Sequence, residues 1–201
     1  MIEIRVEEPT LSTLAEYRKV SIAFRVESYM RIEMVQNGLG GWSLTEEPVA
    51  TPWIKDYDDS DEDRPLRWAE RFDIAKWGVL AAFDGPRRVA GAAIAHDTPG
   101  VFMLEGRKDL AVLWDIRVAP EYRGQGIGSL LFTHVVAWAT ERRCALLKIE
   151  TQNINVPACK FYAHRGCQLR AIHPDAYPDF PDEAMLLWYT RLSARAALSS
   201  V

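Results

Sequence analysis

No Lys/Arg-rich run, nothing beyond isolated pairs such as Arg87-Arg88, occurs in the 201 residues. The 24 basic side chains are outnumbered by 28 acidic ones, for a net charge of -4. A nucleic-acid binder presents a basic face that neutralises phosphates. That class is therefore excluded, and so is an anionic membrane surface as partner. Cysteine is scarce: Cys144, Cys159 and Cys167 are odd in number and spaced neither as a disulfide framework nor as a zinc signature. They read as reduced, mostly buried thiols of a cytoplasmic protein. A long apolar run is missing too. The longest uncharged stretch, 124–140, starts with glycines and contains Gln125 and His134. A membrane span needs roughly 20 mostly apolar residues, so this stretch reads as a buried helix. Residues Met1-Ile2-Glu3-Ile4-Arg5 lack the basic and apolar regions of a signal peptide. Hydrophobic residues nevertheless make up 48% of the chain, enough to offset the entropy of ordering it.

Hydrophobic periodicity gives the order of elements. Ile2, Ile4 and Val6 alternate with charges, as in a half-buried strand. Ser12 or Thr13 caps a predicted helix that runs through Tyr17, Ile22, Val26 and Met34 and ends at Gly38, Gly40 and Gly41. Residues 42–68, with Pro48, Pro52 and Pro65, are read as irregular. They include the acidic run Asp56-Tyr57-Asp58-Asp59-Ser60-Asp61-Glu62-Asp63. Residues 77–83 and 89–95 form a hairpin about Asp84-Gly85-Pro86. A strand is predicted over 110–118, a helix from the glycine turn to about Arg142, a strand over 146–151, and a helix from Pro157 to His164 stopped by Gly166. Residues 168–172 and 185–190 complete the strands. The chain reads as one α/β domain over 1–192, with a loose tail at 193–201.

Arg123-Gly124-Gln125-Gly126-Ile127-Gly128 lies between a strand and a helix. Glycines there let backbone N–H groups approach an anion, and the helix dipole assists. A pyrophosphate is the natural ligand. Ser129-Leu130 follows, so the Lys-Ser/Thr of a Walker loop is absent, and the glycine spacing differs from a dinucleotide fingerprint. A flexible turn without ligand is the plain alternative.

Arg123, Gly126 and Gly128 match the signature Arg/Gln-x-x-Gly-x-Gly/Ala, and Asn155, Ala158, Tyr162 and Gly166 match a second motif about 30 residues on. On these residues the chain resembles the GCN5-related N-acetyltransferase (GNAT) superfamily. Trp114–Val118, Glu150–Asn153, Ala158–Tyr162 and Leu187-Trp188-Tyr189 narrow the resemblance to the streptothricin acetyltransferases. Cys167 departs from the superfamily, which usually has an aromatic residue there.

The resemblance implies a single α/β (α+β) domain with a mixed, mostly antiparallel twisted sheet of six to seven strands flanked by helices. A V-shaped splay follows the strand that ends at Val118. It also implies acetyl-CoA as cosubstrate, with no metal. The pyrophosphate would lie on Arg123, Gly124, Gln125, Gly126, Ile127, Gly128 and Ser129. The pantetheine arm would pair with the backbone of the strand ending at Val118 and meet Asn155, and Ile116, Ala158, Lys160, Phe161 and Tyr162 would also bind the cofactor. The partner implied is a small cationic amine, and a homodimer follows by analogy with small acetyltransferases that pair.

Acetyl transfer to an amine needs proximity, removal of a proton, donors for an oxyanion and a proton for the leaving thiolate. Tyr162 is the candidate acid and Glu150 the candidate base, with Asp115 as the second candidate. A backbone N–H near Val118 is the candidate oxyanion donor. Each has a plain alternative: a packed tyrosine, a paired carboxylate. The acidic run is either a solvated loop or an attractor of cationic substrate. Trp42, Trp53, Tyr57 and Trp68 either stack on a ring or pack in the core. A protein N-terminus, a lysine or a polyamine is the alternative acceptor, and a non-catalytic acyl-CoA-binding module is the alternative of another class.

Overall fold

The computed structural model describes residues 1–60 and 64–192. The predicted tail at 193–201, and residues 61–63 of the acidic run, lie outside the described residues. Nine strands and four helices are described: β1 (Ile2–Glu7), α1 (Leu11–Tyr17), β2 (Phe24–Met34), β3 (Trp42–Lys55), α2 (Pro65–Arg71), β4 (Gly78–Asp84), β5 (Arg87–His96), β6 (Leu110–Val118), α3 (Ile127–Glu141), β7 (Leu146–Gln152), α4 (Val156–His164), β8 (Gln168–His173) and β9 (Met185–Arg191). Seven strands form one mixed sheet in the order β1-β4-β5-β6-β7-β9-β8, while β2 and β3 form a separate ribbon. The expected sheet of six to seven strands is therefore present.

Two compact units are distinguished. The first comprises Met1–Ala23, Asp56–Lys148 and the described residues from Arg191; the second comprises Phe24–Lys55 and Ile149–Thr190. In the first unit β1, β4, β5 and β6 pair antiparallel in sequence. β4 and β5 pair antiparallel around a short turn, so the hairpin is found as expected. Its core joins Leu14 and Tyr17 of α1, Trp68 of α2, Trp77, and the inward residues Val79, Ala93, Ala95 and Val112 of the sheet. Trp68 is a core residue, with its ring 5.9 Å edge-on from Tyr17 and 6.0 Å from Trp77.

Two glycines admit large rings against this sheet. A Cβ on Gly78 would lie 2.5 Å from the Trp138 ring of α3, and one on Gly91 would lie 2.6 Å from the Tyr17 ring. Helix α3 buries Ile127, Leu131, Phe132, Val135, Trp138 and Ala139, a stripe at helical spacing.

The first third of the chain corrects the sequence reading in three places. The N-cap of α1 is Thr10, whose Oγ1 accepts from the Thr13 N–H at 3.2 Å, and the helix stops at Tyr17. Residues Phe24–Met34 are a strand. The i, i+4 match of Ile22, Val26 and Met34 is overridden by strict alternation: Phe24, Val26, Met30, Ile32 and Met34 fall on one parity, and Arg25, Glu27, Arg31 and Glu33 on the other. Residues 42–55 are its partner strand despite Pro48 and Pro52. The prolines fit because the pairing is irregular there. Val26 faces Trp53 and Ser28 faces Pro48, so β3 carries extra residues over this stretch. Pro65 opens α2 at a position that needs no N–H donor.

In the second unit Asn155 caps α4, and Val156, Cys159 and Tyr162 form its buried stripe. Gly166, at φ 77, turns the chain out of that helix as expected, and the Cys167 N–H returns to the Tyr162 carbonyl at 3.0 Å. All three cysteines are buried and unpaired.

Candidate active site

The glycine turn follows β6 and opens α3. Gly124 and Gly126 both have positive φ, 75 and 83, and a Cβ on either would meet nothing within 4 Å. Their glycine is required by backbone conformation, not by space. Gly126 is the N-cap of α3 and Leu130 donates to its carbonyl at 3.0 Å. The first turn of α3, which begins at Ile127, is the positive end of the helix dipole. Arg123 does not extend away from this turn. Its Nε donates to the Val118 carbonyl at 2.9 Å and its Nη2 to the Ser21 carbonyl at 3.3 Å, and burial lowers its pKa. Gln125 Nε2 ties back to the Glu121 carbonyl at 2.9 Å. Both side chains brace the turn, and the backbone is what it presents. The Ser129 carbonyl accepts from Thr133 Oγ1 at 3.1 Å.

On β6, Ile116 pairs with Ala92 and Val118 with Ala90. The register slips between Ala93 and Ile94, which face Asp115 and Leu113, so Trp114 is the extra residue of a bulge. The bulge leaves Asp115 and Arg117, two residues apart, on one face. Asp115 is 7% exposed as a side chain and Arg117 is fully buried. Arg117 Nη2 donates to Asp115 Oδ2 at 2.6 Å and Nε to Oδ1 at 3.0 Å; the Tyr17 hydroxyl donates to the same Oδ1 at 2.5 Å. The guanidinium also holds Asp58 of the acidic run through two bonds, at 2.8 and 3.2 Å, and the Val20 carbonyl at 3.1 Å. Burial opposes the charge of Arg117, yet Asp115, Tyr17 and Asp58 together hold its pKa above the ordinary arginine value. Tyr17 is raised well above 10.0, first by burial and then by the Asp115 carboxylate. Both oxygens of Asp115 are thus engaged in a buried ion pair. Asp58 is not a free attractor; it pairs with a core arginine. Asp56 Oδ1 accepts from the Asp58 N–H at 2.9 Å, closing the short turn that presents it. Tyr17, Arg117 and Asp58 were missed as a set by sequence reasoning. The one available signal was the Asp-x-Arg spacing, which places opposite charges on one face of a strand.

The second unit holds the remaining candidates. Glu150 lies on β7 and accepts from the Tyr177 hydroxyl at 2.6 Å. Tyr162 is 3% exposed, on the buried stripe of α4, with its ring edge-on to Phe161 at 5.2 Å. Asn155 Oδ1 accepts from the Ala158 N–H at 3.2 Å, the capping bond of α4. Lys160 pairs with Glu46 of β3 at 2.5 Å, a bond that lowers the Glu46 pKa. The pairing places Glu150 and Tyr177 together. Asp115 stands in the other unit, with partners of its own.

A bulged strand, a glycine turn with left-handed backbone and a helix that opens on it define a class. The family described as acetyltransferase (GNAT) matches residues 42–167, more than half of the chain. The chain belongs to this family, and it is an N-acetyltransferase with acetyl-CoA as cosubstrate.

Among individual proteins, it is 30% identical to streptothricin acetyltransferase A of Bacillus subtilis (strain 168) over 178 residues, covering 88% of this chain and 93% of the relative. It is 31% identical to streptothricin acetyltransferase of Escherichia coli over 156 residues, covering 74% and 76%. The fold is shared with nourseothricin acetyltransferase, at a TM-score of 0.72 and 20% identity over 96% of this chain and 99% of that one. A Bacillus anthracis str. Ames protein assigned as a streptothricin acetyltransferase, solved with acetyl coenzyme A, has a TM-score of 0.74 at 22% identity over the same shares. Among the described residues no helix is long and apolar enough to cross a membrane.

Proposed function

We propose that the protein acetylates a primary amine of a small cationic molecule, the β-lysine amine of streptothricin, by direct attack on the thioester of acetyl-CoA. The product has lost a cation and a hydrogen-bond donor, which is a route to antibiotic resistance. The glycine turn carries the acetyl-donor half of this reading. Gly124 and Gly126 take up the left-handed backbone that turns N–H groups outward at the N-terminus of α3, and that geometry suits a pyrophosphate. In this reading Arg123, Gly124, Gln125, Gly126, Ile127, Gly128 and Ser129 form the seat, the side chains of Arg123 and Gln125 acting as braces. Ile116 and Val118 offer backbone to the pantetheine arm; Asn155, Ala158, Lys160 and Phe161 flank it. The acceptor half rests on the curated relatives, which span most of the chain.

Glu150 removes a proton from the alkylammonium, whose ordinary pKa of roughly 10.4 keeps it charged at neutral pH. The freed nitrogen forms a bond to the thioester carbonyl carbon. The carbon–sulfur bond then breaks, Tyr162 donates its phenolic proton to the departing thiolate, and the second proton that the acylated nitrogen gives up restores the phenol. Glu150 is preferred over Asp115 because Asp115 is already committed to Arg117 and Tyr17. Asp115 acts in this reading as a strut of β6.

A second acceptor, the N-terminal alanine of a ribosomal protein, has weaker support. The Bacillus subtilis (strain 168) relative described as acting on protein bS18 is 34% identical, but covers 41% of this chain. Release of thiol from acetyl-CoA with streptothricin, run beside polyamines, aminoglycosides and lysine or alanine peptides, separates the two. Turnover with streptothricin far above the others is the expected result. Turnover confined to peptides would replace the acceptor and keep the donor.

A further inference from the structure

Tyr177 belongs to no motif, yet it is bonded to the proposed base. It lies between β8 and β9. Its hydroxyl donates to Glu150 Oε1 at 2.6 Å and accepts from Gln152 Nε2 at 2.9 Å. Glu150 and Gln152 are two residues apart on β7, so their side chains leave the same face and one phenol bridges both. The direction of the proton follows from the donors available. The amide nitrogen only donates, the phenol has one proton, and the carboxylate only accepts, so that proton points at Glu150. At 2.6 Å the bond has the length of a charge-assisted O–H···O⁻ contact.

The segment that supplies Tyr177 is itself fastened. Asn153, 6% exposed, accepts the Ala184 N–H at 2.8 Å through Oδ1 and donates through Nδ2 to the Asp182 carbonyl at 3.4 Å. Glu183 pairs with Lys55 at 2.6 Å, and that ammonium lies 3.9 Å from the Phe180 ring centre. The Phe180 N–H returns to the Tyr177 carbonyl at 2.9 Å. A loop bound at this many points fixes where its tyrosine sits.

We infer that Tyr177 is a positioning residue for amine deprotonation. It holds the Glu150 carboxylate in one orientation, with Gln152 fixing the phenol in turn. The amine's proton passes to Glu150, and Tyr177 keeps its own. This rests on the reading of Glu150 as the base. A merely structural tyrosine would add its effect independently of Glu150; a positioning one has no effect once the carboxylate is gone.

The test is a double-mutant cycle in the full chain, using the best amine of the panel above. Glu150→Gln is expected to lower kcat by about 100-fold or more. Tyr177→Phe keeps the ring and is expected to lower kcat about tenfold, with KM for acetyl-CoA and the melting temperature unchanged. The double variant is expected to match Glu150→Gln alone within about twofold. Gln152→Ala gives a smaller kcat loss in the same direction and serves if Tyr177→Phe folds poorly. Losses that multiply, or a Tyr177→Phe enzyme with unchanged kcat, would overturn the inference while leaving the acetyltransferase reading intact. Full activity of Glu150→Gln would remove the base and the inference together. A native protein that acetylates no amine in the panel would overturn the functional reading itself, an outcome told apart by being visible before any variant is made.

Discussion

Gly126 shows how much one residue decides. Its φ of 83 lies where an L side chain is strained, while the space around a Cβ is open. Gly126→Ala therefore costs about 1–2 kcal/mol in the turn itself with no clash to relieve. The turn is expected to relax toward negative φ and to rotate its N–H groups away from the cofactor. KM for acetyl-CoA should rise several-fold, and Gly126→Asn, which tolerates this backbone, should lose less. Steady-state kinetics at saturating acceptor measure it; an unchanged KM for both variants would separate the turn from cofactor binding. The glycine spacing was legible because its cause is local. Tyr177 was not, since its partners Glu150 and Gln152 lie 27 and 25 residues away and no local pattern encodes such a meeting. The same holds for Asp58, whose partner Arg117 lies 59 residues off.

At the scale of elements, β6 is held by charge as well as by its ladder. Gly91 on β5 lets the Tyr17 ring lie on the sheet, Tyr17 reaches Asp115, Asp115 orients Arg117, and Arg117 binds Asp58. Removing the centre of this chain leaves a buried carboxylate unpaired. Arg117→Ala is expected to destabilise by about 3–5 kcal/mol. Asp58→Asn keeps an acceptor at a site with 23% side-chain exposure and is expected to cost about 1–2 kcal/mol. Urea midpoints of the two variants give the ranking, and the reverse order would sink the assignment of Arg117 as the centre. Elements after residue 77 agree with the sequence to within two residues at most ends, because their periodicity is clean and their turns carry glycine or proline. The β2–β3 ribbon was misread. The alternation of β2 was passed over for the i, i+4 match of Ile22 and Val26, and the prolines of β3 sit where the register breaks.

For the molecule as a whole, buried protonated groups set the response to alkali. Cys144 and Cys167 are pushed up to about 11 by burial, from an ordinary 9.0, and burial with the Asp115 carboxylate lifts Tyr17 above 10.0. The unfolded chain loses these protons first. Their contribution to stability is complete below pH 9 and declines as pH rises through the folded values. A melting temperature that is flat in this respect to about pH 9 and then falls is expected, with a shallower fall in a Cys144→Ala, Cys167→Ala double variant. Identical slopes in the two proteins would place the alkaline limb elsewhere.

The sequence by itself determined the class. Two short motifs pointed to an acetyl-CoA enzyme, and the family match over residues 42–167 agrees. Those signals are local: a glycine turn needs only its own dihedral angles. The tertiary structure alone decided which donor each charge meets. Asp58 and Asp115 are acidic residues of the same type as Glu150, but a buried guanidinium takes them both, while a phenol from a distant loop takes Glu150. A carboxylate's role follows from the donor it meets, and that donor comes from another part of the chain.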